Sequence, residues 1–309
     1  MKRRFVKLVA VIARGKSICA SLCLMLSLIT VSAQIKLSFN PELETKYEYQ
    51  MEGIQNLKQN VMGQEMSMKT VMKGTYLMEI KDKTPQEIHT QMTYQGFTIV
   101  VSSSVLNVTY DSKVPNKNPS EMDKMFEKMF STLIGKPFTV VFALDGSVKS
   151  VSGMGDIIKN MLESISDDEQ LATQMGAQMS QMFSDETMKN MFGQSFNAYP
   201  DNTVKVGDSW DMENTIPMNN MNLSIKTKNT LKKINKNKAT IEVTGNMDME
   251  MEESKFTGIQ TGTTIIDTTT GLPVTNDVSL NMKGTVKTQG MEIQMEIISK
   301  AKTEIKKIN

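Results

Sequence analysis

The most constraining feature of this 309-residue sequence is a sustained alternation of apolar and polar residues. One such stretch is 65–80, where the apolar positions are Met66, Met68, Met72, Tyr76, Met78 and Ile80. The pattern continues to Tyr94 and returns in 239–251 and 291–297. A period of two is typical of β-strands with one buried face. The sequence therefore predicts antiparallel strands, apolar inside and polar outside, and disfavours a parallel sheet buried between helix layers.

The segment 118–199 has a helical period instead. Asn118-Pro119-Ser120-Glu121 predicts a helix start, with an N-cap, a proline at the first helical position and a glutamate placed for a capping box. Apolar residues then recur at helical spacing until Gly135 ends the helix. A strand is predicted at 137–144, and further helices are predicted at 154–165, 171–183 and 188–196. Each has a single apolar stripe, so each must pack against another apolar surface, and the sheet offers the only large one.

A weak internal duplication relates the two halves of the chain. Tyr47 opens the strands of the first half and Trp210 those of the second, and turns follow at Gly146 and Gly271. We therefore predict an α+β fold, with one long curved antiparallel sheet or open barrel built from two related halves. A central helical block at about 118–199 would cover the concave face of this sheet.

The first 33 residues are typical of a cleavable secretory signal. Basic residues without any acidic one precede the apolar run 17–31, which is shorter than the about 20 residues of a membrane-spanning helix. Val31-Ser32-Ala33 offers the small side chains of a cleavage site after Ala33. We expect an exported protein, periplasmic or extracellular, whose mature chain, 34–309, is a single β-rich domain without a transmembrane segment.

Composition excludes several classes of function. Both cysteines, Cys19 and Cys23, lie in the predicted signal, so the mature chain would use neither disulfides nor thiolate chemistry. That mature chain carries 29 basic and 34 acidic residues, a net charge of −5. A mildly acidic chain without a basic patch argues against nucleic acid as a partner.

The candidate motifs for catalysis and metal binding are weak. Gly207-Asp208-Ser209-Trp210 is similar to the Gly-Asp-Ser block of a family of lipases and esterases, whose serine needs a histidine as general base. The single histidine, His89, lies far upstream, and with no cysteine in the mature chain it cannot form the usual zinc sites. Asp167-Asp168-Glu169 is best explained as acidic residues at a helix start. We predict no catalytic residue, no metal site and no cofactor.

Methionine is the one anomaly of composition, with 28 residues in the chain. Its unbranched, polarisable side chain fills irregular space and suits surfaces that accept varied apolar ligands. We predict a Met-lined cavity between sheet and helical block that binds a hydrophobic or lipid-like ligand. Its lining would consist of Met66, Met68, Met72, Met92, Met125, Phe126, Met129, Phe130, Met247, Met249 and Met251.

Two alternatives remain open. The same spacing is produced by a filled core, in which case the chain is a structural or protein-interaction module with a partner protein in the envelope. A third hypothesis assigns Cu(I) to the row Met247, Met249 and Met251, because thioether ligands suit that ion in an exported protein.

Several features together carry a resemblance. They are the signal sequence, Lys-Tyr-x-Tyr at 46–49, the central helical segment, and Tyr199-Pro200 followed by Val-Lys-Val-Gly-Asp-Ser-Trp at 204–210. This combination resembles an uncharacterised family of exported proteins of the Bacteroidota, a domain of unknown function, over most of the mature chain. The resemblance implies no activity for any residue. The architecture is also similar to the periplasmic lipoprotein carriers, whose curved, helix-covered sheet binds acyl chains, which is an analogy of fold alone.

Overall fold

The computed structural model describes residues 34–61, 63–165, 176, 184–196, 199–218, 221–251, 254–288 and 291–308. The chain divides into two units, Met1–Gln34 and Ile35–Asn309. The predicted signal sequence and Asp167-Asp168-Glu169 lie outside the described residues, as does nearly all of the helix predicted at 171–183. All of the described strands and helices belong to the second unit.

This unit is built on one sheet of 12 strands, and every described pairing in it is antiparallel. The strands are β1 (Lys46–Val61), β2 (Gln64–Lys83), β3 (Glu87–Ser103), β4 (Asn107–Asp111), β5 (Pro137–Ala143), β6 (Val148–Ser152), β7 (Ser209–Met218), β8 (Met221–Asn235), β9 (Lys238–Met251), β10 (Ser254–Asp267), β11 (Pro273–Thr288) and β12 (Met291–Ile308). Their order is β6-β5-β3-β2-β1-β12-β11-β10-β9-β8-β7, and β4 pairs with the far end of β3. The first and last strands thus lie side by side at the centre of the sheet.

The described helices are short. They are α1 (Glu121–Ser131), α2 (Met154–Glu163) and α3 (Asp185–Phe196). Helix α1 packs against β4 and α2, while α3 packs against β6, β7 and β11.

The main core lies where these helices meet the sheet. The N-terminal segment, strands and helices all contribute to it, among them Leu37, Phe39, Tyr49, Tyr76, Met78, Ile157, Phe192 and Leu231. The ring of Phe142 lies 4.8 Å from those of both Phe39 and Phe196, which joins the three kinds of element. Each fully buried large apolar side chain contributes about 1.5–3 kcal/mol, so this cluster is the main source of stability.

The predicted α+β class is wrong. The chain is mainly β, with 64% strand and 13% helix, its sheet is not closed, and the described residues contain no central helical block. Strands β5 and β6 both lie within the segment 118–199, for which the sequence predicted helices and a single strand at 137–144. The physical reason is length, because alternation persists for up to 20 residues in β2 whereas the apolar stripes of the helices last 10–12 residues. Helices with such short apolar stripes bury them against nearby strands, as α1 does against β4 and α3 against β6.

Helix α1 begins two residues later than predicted. Its N-cap is Ser120, whose Oγ accepts from Asp123 N at 3.1 Å. The Asp123 carboxylate accepts in return from Ser120 N at 2.8 Å. This closes a capping box with Asp123 in the place that the sequence pattern gave to Glu121.

The face of the sheet that carries no core side chains is polar. Ion pairs bridge neighbouring strands there, including Lys46–Glu79, Lys73–Glu52, Lys226–Glu213, Lys255–Glu250 and Lys283–Glu296. Exposed pairs of this kind contribute about 0–1 kcal/mol each. Their main effect is on register, because a shift by one residue would bring charged side chains to the apolar face.

Candidate functional site

A second apolar cluster lies on β8–β12, separate from the main core. Its buried members are Ile225, Met247, Phe256 and Met282, and its partly buried members are Leu223, Met249, Leu280, Val286, Met295 and Ile297. We name this set the distal cluster. All of its described members come from strands, and no residue of the three described helices belongs to it.

Strand register places the distal cluster on the same face of the sheet as the main core. In β9, Ile241 and Val243 belong to the main core, and Met247 follows them at even spacing. Met247 lies opposite Ile225 in β8, and Met282 of β11 lies opposite Ile297 of β12. Because alternate residues of a strand share a face, these residues extend one continuous inner face beyond the helices.

Two glycines shape the floor of the distal cluster. A Cβ added at Gly258 would lie 2.5 Å from Met282 Cγ, and one added at Gly284 would lie 2.5 Å from the Phe256 ring. The side chains of Met282 and Phe256 therefore lie over the glycines of the neighbouring strand. Glycine within a strand marks such a close approach.

The structure separates the predicted lining residues. Met92, Met129 and Phe130 are buried in the main core, while Met68, Met125 and Phe126 pack against it partly buried. Met247 and Met249 belong to the distal cluster. Met66 is partly buried and Met72 is 40% exposed, and the side chain of Met251 lies outside the described residues. The geometry brings Met247 and Met249 together, and the ligand site itself stays a prediction.

Sequence reasoning did not assign the remaining members of the distal cluster to a site. Phe256 and Met282 are the clearest of these, since both are buried and both cover a glycine. Phe256 also alternates with the polar residues around it, and the antiparallel pairing of β9 with β10 places it opposite Met249. The pairing of β11 with β10 is not encoded in any such local pattern.

The ionisable side chains of β9 and β10 lie on the polar face. Lys255 Nζ lies 3.1 Å from the Glu250 carboxylate, and this hydrogen bond raises the pKa of Lys255. Alternation keeps this pair on the opposite side of β9 and β10 from Met249 and Phe256. The distal cluster is accordingly suited to uncharged, apolar groups.

Two open hollows lie on the sheet, and the lining of the second includes Met295 of the distal cluster. One, of about 790 Å³, is lined by residues of β7–β10 such as Lys226, Thr244 and Ile259. The other, of about 550 Å³, is lined by residues of β1, β2, β11 and β12 such as Lys58 and Lys283. Neither is lined by any of the predicted lining residues, and both are rich in polar side chains.

The geometry does not assemble the motif similar to lipases. Ser209 lies at the start of β7 with its Oγ 2.9 Å from Thr230 Oγ1. His89 lies in β3 beside Glu87, and seven strands stand between β3 and β7. Gly207, with φ of 97°, forms the turn before Ser209, as expected for a strand start.

The described ranges offer neither a conventional metal site nor a membrane-spanning helix. Within them, no group of three or more His, Cys, Asp or Glu side chains is placed to hold a metal ion. The Cu(I) hypothesis concerns thioethers and stays a prediction, with Met247 and Met249 packed among hydrocarbon side chains. No helix in the described part of the chain has the length and apolar character needed to cross a membrane.

Fold and cluster together define a protein with one open antiparallel sheet and two apolar clusters on its inner face. The chain belongs to a family of unknown function, DUF6263, which matches residues 85–273. The affiliation with an uncharacterised family is thereby confirmed. None of the curated proteins matches the chain.

Three solved structures show a distant likeness to the chain. A structure of lipovitellin that describes its lipid–protein interactions has a TM-score of 0.47 and 8% identity. The likeness covers 86% of this chain and 25% of that one. The chain thus spans about a quarter of lipovitellin. OccK5 (OpdH) of Pseudomonas aeruginosa has a TM-score of 0.23 and 8% identity, covering 85% and 99% of the two chains. The COG4313 outer membrane channel of Pseudomonas putida F1 has a TM-score of 0.22 and 6% identity, covering 87% and 97%. We infer nothing about function from likenesses of this size.

Proposed function

We propose that this is a non-catalytic, exported envelope protein that binds a hydrophobic, lipid-like ligand at the distal cluster. Export is supported by the signal-like N-terminus and by the resemblance to exported proteins of the Bacteroidota. Ligand binding is supported by one observation above all. Ten apolar side chains gather on one sheet face, away from the described helices, and six of them are only partly buried.

An apolar group of this kind has a physical use. Apolar surface that stays exposed to water lacks the stabilisation of about 25 cal/mol per Å² that burial would give. A patch of such surface therefore indicates an interaction site. Four of the ten side chains are methionines, whose three rotatable bonds allow them to rearrange around a guest. Met282 in particular covers Gly258 and can vacate that space for an acyl chain.

The proposal moves the site from where the sequence pattern placed it. A cavity beneath a central helical block is not proposed, because the described residues contain no such block. Met247 and Met249 are retained from the predicted lining. Ile225, Phe256, Met282, Met295 and Ile297 join them.

Binding can be tested with a fluorescent fatty acid, anthroyloxy-palmitate, titrated into the purified protein. We expect saturable binding and displacement by unlabelled palmitate. The double change Met249→Gln and Met295→Gln keeps side-chain length but adds polar atoms to the distal cluster, so affinity should fall at least about tenfold. The matched control is Ile259→Gln on the other face of β10, where the side chain is 59% exposed.

Two results would count against the proposal. One is an absence of saturable binding by folded wild-type protein. The other is an equal loss of affinity in the Ile259→Gln control. Thermal melting of each variant separates loss of binding from loss of fold, and native mass spectrometry of protein from its own envelope gives an independent search for bound lipid.

A second function is favoured by a different observation. Met282 and Phe256 already fill the spaces over Gly258 and Gly284, as in the filled core of a structural or protein-interaction module. Under this alternative the double glutamine variant lowers the melting temperature and no lipid binds. The same titration therefore distinguishes the two.

A further inference from the structure

Two buried nitrogen donors on neighbouring strands have no partner. Trp210 Nε1 and Asn229 Nδ2 are both shielded from solvent, and neither makes a hydrogen bond in the structure. Most buried polar groups in proteins are hydrogen-bonded, because an unmet donor loses its bonds to water without replacement. An unsatisfied pair is therefore a feature that needs a cause.

The register brings the two donors together. Trp210 of β7 lies directly opposite Asn229 of β8, and side chains opposite each other on one face have Cβ atoms about 4.5–5.5 Å apart. Asn229 is 3% exposed and lies opposite Val243, a member of the main core. Both donors therefore belong to the inner face.

The pair lies at the boundary between the main core and the distal cluster. Along β8, Leu231 belongs to the former, while Ile225 and Leu223 belong to the latter. Asn229 is six residues from Leu223, a distance of about 20 Å along a strand. Beside this path β9 carries Gly245 on the inner face and β10 carries Gly262 opposite Val243, so no side chain rises from either position.

We propose that Trp210 and Asn229 bind the carbonyl oxygen of an acyl ester while its chain lies along the distal cluster. This inference rests on the proposed function and names its ligand class. The inner-face neighbours by register, Leu231, Thr227 and Val243, carry no positive charge. A buried carboxylate without a cation is unfavourable, so an uncharged ester carbonyl fits the pair better than a free fatty acid.

The site contains its own reporter, because Trp210 is the single tryptophan of the chain. Titration with methyl palmitate should change Trp210 emission along a saturable curve. In displacement of anthroyloxy-palmitate, methyl palmitate should compete about tenfold better than hexadecane, as expected for hydrogen bonds formed in a dry site. Palmitate is the third arm and should compete less well than the ester.

Asn229→Leu removes one donor at nearly constant volume. We expect it to lower affinity for methyl palmitate about five- to tenfold and to leave that for hexadecane unchanged. Asn281→Leu, an exposed position on the polar face of β11, is the matched control and should change neither affinity. Should Asn229→Leu fail to fold, Trp210→Phe removes the other donor and keeps an aromatic ring.

The inference is overturned if wild type binds ester and hexadecane equally, or if Asn229→Leu weakens both alike. In either case anthroyloxy-palmitate still binds and the glutamine variant still weakens it, so the proposed function survives. Preference for palmitate over the ester would also overturn it, since a charged head group would then be bound. Absence of any binding overturns both proposals together.

Discussion

The glycines of the inner face differ in what surrounds them, and this gives a matched pair of substitutions. A Cβ at Gly284 would lie 2.4 Å from Lys255 O and 2.5 Å from the Phe256 ring, whereas one at Gly53 meets nothing within 4 Å. Gly284→Ala should lower the free energy of unfolding by about 1–3 kcal/mol through overpacking. Gly53→Ala should leave it unchanged or raise it by about 0.4–1 kcal/mol. Urea unfolding measures both, and equal effects would contradict the close approach of Phe256 to Gly284.

Buried tyrosines make a prediction for alkaline pH. Burial, aided by the charge of Glu42, raises the pKa of Tyr47 to about 12 from its ordinary value of 10.0. The folded state therefore holds the phenolic proton more tightly than the unfolded state does. The resulting stability is present below about pH 10 and is lost as pH rises towards 12. Urea unfolding at several alkaline pH values should show a shallower decline for Tyr47→Phe than for wild type, and an unchanged slope would contradict this.

Among the elements, α1 depends on one carboxylate for its attachment to the sheet. Asp123 accepts from Thr109 N of β4 at 2.7 Å and from Ser120 N at 2.8 Å. These bonds, the first above all, lower the pKa of Asp123. The stability they contribute is thus present above the ordinary pKa of the carboxyl and is lost as pH falls through the lowered one.

Asp123→Asn tests this attachment. The change places an amide N–H against existing donors and should lower the free energy of unfolding by about 1–2 kcal/mol at neutral pH. The control is Glu121→Gln in the same helical turn, whose carboxylate pairs with Lys124 at the surface and should contribute less than about 0.5 kcal/mol. Chemical denaturation measures both variants. Equal effects would mean that the capping box does not fasten α1 to β4.

In the whole molecule, we expect local unfolding to begin at the distal cluster. The main core combines strands, helices and the N-terminal segment, whereas the described distal cluster has strands alone. Local opening follows the density of buried contacts. Hydrogen exchange should therefore be slower in 76–80 and 239–243 than in 221–225 and 281–286. Uniform protection along β8 and β11 would show that the sheet opens as one unit.

The sequence was sufficient to predict much of the strand content, but it was insufficient to predict how strands and helices are arranged. Alternation identified β9 and β12 because a buried face repeats every second residue, whatever the partner strand. The extent of helix was overestimated, since an apolar stripe shows that a segment is amphipathic but not how much of the sheet it covers. The N-cap was misplaced because Asn118 and Ser120 both suit that role, and only the bond from Thr109 to Asp123 decides between them.

The candidate site was harder to predict than the strands. Met247 and Met249 were found because they alternate within one strand. The pairing of Trp210 with Asn229 depends on the register of β7 with β8. The lack of hydrogen-bond acceptors for Trp210 Nε1 and Asn229 Nδ2 depends on how the surrounding strands pack. Neither property is written in a local pattern.

The central pairing of β1 with β12, with Tyr49 opposite Ile305, has a consequence for how the chain is made. Strand β1 is synthesised more than 200 residues before β12, its neighbour on one side. Until then that edge of β1 has free backbone groups, which is the state most prone to wrong pairing. The middle of the sheet therefore cannot assemble until β12 has been synthesised.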